Sequence, residues 1–276
     1  MDTTIYVFSG TGTSLATAKG ISENINHTKI TSIPYLLANN KEKEIKIPSA
    51  KIGIIFPCYF GTVPELVIEF IRRANFENVE YSFSIVMCGG NPGISLKVLA
   101  DELNNKGISL NYGKSMSLAS NYIVAWYYQI SCKEGKKLQN SLQEFKHDIV
   151  QIASEISNNK AYVEKSSYFL FKVFRLLSPK LVVEDTRPWD KEFSTDETCN
   201  GCGICSKICQ VRNIKIVNKK PVFLHNCQRC MACIQYCPKH AFLFKNKEIK
   251  KSNYYHPDYP AIKMIAFIDG QSGSKP

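Results

Sequence analysis

Eight of the chain's eleven cysteines fall in one short stretch, and their spacing repeats. Cys199, Cys202, Cys205 and Cys209 form C-x2-C-x2-C-x3-C. Cys227, Cys230, Cys233 and Cys237 form it again, each 28 positions after its counterpart, with Pro238 next. Thiolates in this pattern are the ligands of [4Fe–4S] cubanes, and eight in a repeat hold two of them. Two-residue gaps let a looping backbone aim three sulfurs at one object while its N–H groups face the cluster's negative charge. The fourth cysteine of each run serves the other cluster. Cluster I then takes Cys199, Cys202, Cys205 and Cys237; cluster II takes Cys209, Cys227, Cys230 and Cys233. The chemistry is the transfer of single electrons. Zinc needs four ligands rather than two tight runs of four, and disulfides need an oxidising compartment, which no signal peptide suggests.

A second set of residues lies near the start. Ile5-Tyr6-Val7-Phe8 reads as a buried strand, and Thr13–Ile25 as a helix. Between them runs Ser9-Gly10-Thr11-Gly12-Thr13-Ser14. It lacks the Gly-Lys-Ser/Thr of a Walker loop, and Leu15 stands where a dinucleotide loop has its third glycine. What is left is a hydroxyl-rich turn at a helix N-terminus, able to hold a phosphate with N–H and O–H donors alone. A glycine turn with a hydroxyl cap is the plainer reading.

The elements that position these residues alternate. Lys29–Ile33, Ile52–Phe56, Ser84–Met87 and Ile108–Ser117 read as strands. Pro64–Ala74, Ser95–Asn104 and Leu138–Ile156 have helical spacing. Such alternation predicts an α/β fold, a doubly wound parallel sheet that binds ligands beyond the carboxyl ends of its strands. Two further loops stand at such ends: Cys58-Tyr59-Phe60-Gly61, and Cys88-Gly89-Gly90-Asn91.

Residues 1–158 resemble the flavodoxins on these three loops. The resemblance implies a flavodoxin-like domain that binds FMN, its phosphate on Ser9–Ser14. Tyr59 or Phe60 would stack on the flavin, Gly61 would be the switching peptide, and Gly89, Gly90 and Asn91 would supply donors near the pyrimidine end. Cys58 and Cys88 lie beside that position and read more simply as small packing residues. Residues 191–248 resemble the bacterial two-cluster ferredoxins, a small α+β domain, with Ile204, Ile208, Ala232, Ile234, Tyr236 and Ala241 as the packing around the clusters. Gln210 departs from that family, which usually has proline after the fourth cysteine. The whole chain resembles the fused flavodoxin–ferredoxin proteins of anaerobes. That implies an oxidoreductase-type electron carrier passing electrons between two [4Fe–4S] clusters and FMN. The alternative is a flavin-dependent reductase with its own small substrate.

The formal charge is +11, but two oxidised cubanes and one phosphate, each near −2, reduce it to roughly +5. A mildly basic protein suits an acidic electron carrier as its partner. Nucleic acid is not expected, because the lysines are scattered with no basic, aromatic-laced stripe. No apolar run is long enough for a membrane span, and the expected compartment is the reducing cytoplasm. Ala161–Trp189, part of a linker over 159–190, contains a bulky basic stretch, Tyr168–Leu177, expected to plug the cleft between the domains. Residues 249–276 read as a tail wrapping back onto the body, disordered from Gly270 onward. Ser120-Asn121-Tyr122 to Tyr128 is assigned either to the flavin edge or to the second domain, and no catalytic acid–base set is seen.

Overall fold

Along the first strand the side chains divide strictly between two cores. Ile5 and Val7 join one hydrophobic cluster, Tyr6 and Phe8 the other, and all four are buried. Period two with both faces buried is what a parallel sheet covered on both sides demands. The structure, a computed structural model, describes residues 2–40, 44–119, 121, 123, 135–165, 189–249 and 254–271. The expected Tyr168–Leu177 stretch, Ser120, Tyr122, Val124 to Tyr128, and Cys132 lie outside the described residues.

The chain begins β1 (Thr3–Val7), α1 (Thr13–Asn24), β2 (Thr28–Ser32) and α2 (Ile33–Asn39). It continues with β3 (Ile45–Ile47), β4 (Lys51–Pro57), α3 (Glu65–Arg73), β5 (Ala74–Phe76), β6 (Tyr81–Cys88), α4 (Ser95–Asn104) and β7 (Tyr112–Ser117). The long helix α5 (Gly135–Ser157) and the short β8 (Tyr162–Val163) follow. The main sheet has the order β2-β1-β4-β6-β7-β8, parallel throughout. Without the accessory pair β3–β5 and the short β8, this is the doubly wound order 2-1-3-4-5 of the flavodoxin-like fold. Helices α1 and α5 cover one face around Leu15, Ile21, Phe145, Ile149 and Ile152. Helices α2, α3 and α4 cover the other around Leu37, Val67, Phe70 and Leu99.

The cysteine-bearing part begins with a 3-10 turn at Trp189–Glu192 and β9 (Phe193–Thr195). Then come α6 (Ile204–Ile208), β10 (Ile214–Val217), β11 (Lys220–Phe223), α7 (Ala232–Gln235), β12 (Phe242–Phe244) and β13 (Lys247–Glu248). The sequence repeat is a structural one. Helices α6 and α7 start 28 positions apart, as do β10 and β12. Both helices are preceded by a residue in the left-handed region, Gly203 at φ 78° and Met231 at φ 59°.

The last helix, α8 (Ala261–Ile268), buries Met264, Phe267 and Ile268. These three join Ile208, Ala232 and Tyr236 of the cysteine-bearing part and Leu15 of α1 in a single core. The two parts of the chain are therefore packed through shared apolar surface. Among the described residues, no helix is long and apolar enough to cross a membrane.

Candidate functional site

The eight motif cysteines line two cavities. One has Cys199, Cys202, Cys205 and Cys237 in its wall, with Ile204, Ile216, Pro221 and Phe242, and encloses about 370 Å³ including its mouth. The other has Cys209, Cys227, Cys230 and Cys233, with Phe193, Ile214, Phe223 and Met231, and about 420 Å³. Each cavity takes three cysteines from one run and the fourth from the other, which is the crosswise division the spacing predicts. Among the described residues, no three His, Cys, Asp or Glu converge as a single ion would require.

The electrostatics suit a centre that brings its own positive charge. Burial pushes the Cys205 and Cys227 thiols up to about 11 and Cys230 to about 12. Cys209 is raised and Cys233 raised well above the ordinary value, again chiefly by burial. For Cys230 and Cys233 the neighbouring cysteines add to the rise. These five thiols, when free, stay protonated at neutral pH. Iron binding would expel those protons, so the donor set fits a cationic, thiolate-seeking group. Backbone amides already point at sulfur: Asn213 N–H donates to Cys209 Sγ at 3.2 Å and Arg229 N–H to Cys227 Sγ at 3.3 Å.

The two cavities differ in setting. Cys202 is exposed, and Lys219, Lys220 and Lys239 around that edge are exposed too. The second cavity instead faces the carboxyl ends of the parallel strands. Gly10 shows how closely: a Cβ added there would lie 2.5 Å from the Cys230 carbonyl oxygen and 3.2 Å from Cys230 Cβ. Gln210, beside Cys209, is almost fully buried, and its Nε2 donates to the Ser9 carbonyl. The position where the ferredoxin resemblance expects proline thus carries a tie between the two parts.

The Ser9–Ser14 loop is where the sequence places it, between β1 and α1. Ser9, Thr11 and Ser14 are buried. Gly12 at φ 90° caps the helix, and its N–H donates to Ser9 Oγ at 3.1 Å. Some of the loop's polar groups are engaged within the chain. Asn121 Nδ2 donates to Thr11 Oγ1 at 3.1 Å, the His256 N–H donates to the Thr11 carbonyl at 2.8 Å, and the Thr13 and Tyr254 hydroxyls lie 3.4 Å apart. A Cβ on Gly12 would meet Tyr259 Cβ at 2.8 Å. The segment Tyr254–Tyr259 therefore lies over the loop. Tyr236 anchors that segment by stacking on Tyr255, ring centroids 4.8 Å apart, and by donating its hydroxyl to the Tyr259 carbonyl at 2.9 Å. Tyr254–Tyr259 thus covers part of the loop.

Of the other expected flavin contacts, some are engaged within the chain and some are exposed. Tyr59 and Thr62 close a two-residue turn, with Phe60 at φ 52° and Gly61 at φ 76° in the left-handed region. Two positive φ values in succession give the hairpin-type turn, in which glycine is at ease and Phe60 is not. Phe60 is held by the Trp189 ring at 5.7 Å and the Arg229 guanidinium at 5.6 Å, both from the cysteine-bearing part. The Gly61 carbonyl accepts from Ile94 N–H at 2.7 Å. Cys58 and Cys88 donate to the carbonyls of Pro92 at 3.4 Å and Gly90 at 3.1 Å. Burial raises both thiols, Cys88 to about 11. Gly89, Gly90 and Asn91 are exposed, and Asn91 Oδ1 accepts from the Gly93 N–H at 2.8 Å.

Asp190, His225 and Asn213 form a group that sequence reasoning did not single out as a set. Asp190 is buried, accepts from Asn213 Nδ2 at 2.7 Å, and lies 2.9 Å from His225 Nδ1. It braces the segment carrying Cys209 against the one carrying Cys227.

No protein-family model matches the chain, and no curated relative does. Among solved structures, it is similar to a flavoprotein from Bacteroides uniformis, 18% identical, covering 52% of this chain and 97% of that one, TM-score 0.34. It is also similar to rubredoxin oxygen:oxidoreductase from Desulfovibrio gigas, 12% identical, covering 57% of this chain and 36% of that one, TM-score 0.37.

Proposed function

We propose that the chain is an electron-transfer protein holding two [4Fe–4S] clusters on a flavodoxin-like domain. Cluster I is held by Cys199, Cys202, Cys205 and Cys237, and cluster II by Cys209, Cys227, Cys230 and Cys233. The observation that carries this reading is the division of eight cysteines between two cavities, four to each and crosswise. Each cluster supplies reversible uptake of one electron. The chain's part is to fix the sulfurs, to exclude water with the apolar walls, and to aim N–H groups at Cys209 and Cys227.

Electrons enter at the exposed Cys202 edge, where lysines receive an acidic carrier, and reach cluster II at the strand ends. FMN belongs to this proposal for a form in which Tyr254–Tyr259 has left the Ser9–Ser14 loop. The alternative, a flavin-dependent reductase with its own substrate, is not favoured, because Tyr59 and Phe60 are packed against the cysteine-bearing part. The reducing cytoplasm is the compartment proposed.

The test is anaerobic purification with a count of iron, acid-labile sulfide and FMN per chain. About eight irons and eight sulfides are expected for two cubanes, with FMN well below one per chain. Four irons or fewer, with none taken up on reconstitution, would end the two-cluster reading.

A further inference from the structure

Tyr59 carries a buried hydroxyl that has no hydrogen-bond partner among the described residues. Leaving such a group unpaired costs about 1–3 kcal/mol, so a native fold rarely does so without a reason. The phenol cannot easily turn elsewhere. Its ring packs edge-on against Phe8 at 5.9 Å, and its backbone N–H and carbonyl are both bonded to Thr62, at 3.1 and 3.0 Å. The hydroxyl lies 3.2 Å from the position a Cβ on Gly10 would take, and Cys230 Cβ lies 3.2 Å from the same position. Tyr59 and Cys230 thus both border Gly10, and Cys230 is in the wall of the second cavity. The Cys230 carbonyl oxygen borders the same position but makes no hydrogen bond with the phenol, and a cluster's sulfurs are acceptors.

We propose that Tyr59 donates its hydroxyl hydrogen to a sulfur of cluster II, either Cys230 Sγ or a bridging sulfide, and thereby sets that cluster's potential. The inference rests on the two-cluster reading and goes beyond it. A reduced cluster bears one more negative charge than an oxidised one. A fixed O–H donor therefore favours the reduced state more and raises the potential. Tyr59 stands beside Cys230 of the second cavity, so the donor separates two centres that the sequence repeat would make alike. The electron of a half-reduced molecule then rests on cluster II, next to the sheet. The residue that the flavodoxin resemblance assigns to flavin stacking serves iron–sulfur chemistry from the neighbouring part. Tyr59 is a positioning residue: it moves no proton and loses none.

The test is Tyr59→Phe in the full chain, reconstituted anaerobically. Iron and sulfide are counted first in both proteins. Redox titration followed by EPR then gives two potentials for each. Cys230→Ser assigns the waves, because the wave it moves or abolishes belongs to cluster II. The expected result is a shift of the cluster II potential to a more negative value in Tyr59→Phe, with cluster I unmoved. The phenyl ring keeps the packing on Phe8, so a purely structural role predicts no shift. Unchanged potentials in a fully loaded variant, or equal shifts in both clusters, overturn the proposal. A wild-type chain that loads fewer than two clusters overturns the two-cluster reading, and the proposal with it, already at the iron count.

Discussion

Gly10→Ala should loosen the cysteine-bearing part from the sheet. Gly10 is not in the left-handed region, so alanine fits its backbone and the whole effect comes from contact. The new Cβ would sit 2.5 Å from the Cys230 carbonyl oxygen, whereas ordinary contact begins at 3.4 Å, so roughly 0.9 Å must be found. The obstacle is backbone between two cavity cysteines, Cys227 and Cys233, and cannot swing aside like a side chain. Forcing a methyl group into packed surroundings costs about 1–3 kcal/mol. If docking bears all of it, the closed-to-open ratio falls by about 5- to 150-fold. Hydrogen exchange reads this directly: the amides of Ser9–Ser14 and Tyr254–Tyr259 should lose protection by that factor. Gly90→Ala is the control, because a Cβ there meets nothing within 4 Å. It should be neutral or stabilise by about 0.4–1 kcal/mol. Equal protection in the two variants would refute the docked arrangement, since only that arrangement distinguishes the glycines.

Reduction by an acidic carrier should slow as ionic strength rises, and charge reversal at Lys219 and Lys239 should slow it further; a salt-independent rate would remove the Cys202 edge as the entry point. His256 should make tail docking pH-dependent. Its pKa is lowered, first by burial and then by Lys146, with Asp258 opposing. Above about pH 6.5 docked and undocked forms are both neutral there, and docking is at full strength. As the pH falls, the undocked tail takes up a proton that the docked one refuses, and docking weakens until the folded pKa is passed. Tail protection, corrected for intrinsic exchange rates, should therefore be lower at pH 5.5 than at pH 7.5; the same protection at both would contradict this. In the central strand β4, Gly53→Ala would place its Cβ 2.3 Å from the Phe83 ring. A loss of about 1–3 kcal/mol in chemical denaturation is expected, and an unchanged midpoint would refute the packing.

The centre of the sheet was legible because β1, β4 and β6 are buried on both faces and so carry mostly apolar runs, while α4 showed its full extent through helical spacing alone. Helix α2 was not legible: Ile33-Pro34 looks like a break, yet Pro34 stands in the first turn, where its missing N–H is harmless, and Ser32 Oγ accepts from the Tyr35 N–H at 3.3 Å. Strands β3 and β5 are three residues each, too short for any period to show. Helix α8 was read as tail, although Met264, Phe267 and Ile268 carry helical spacing after a proline. In the candidate site, the cavity cysteines follow from spacing, a local property. The covering of Ser9–Ser14 by Gln210, Cys230 and Tyr254–Tyr259 does not, because it joins residues some two hundred positions apart. One signal was available, the glutamine at 210 in place of proline, and that departure by itself names no partner.

That distance along the chain has a consequence during synthesis. The Ser9–Ser14 loop leaves the ribosome long before Tyr254 does. At about 5–20 residues per second, the interval is roughly 12–50 s. For that time the contacts that Tyr254–Tyr259 makes with the loop cannot form. Docking of this segment is thus a late step, made onto a sheet whose strands are already complete.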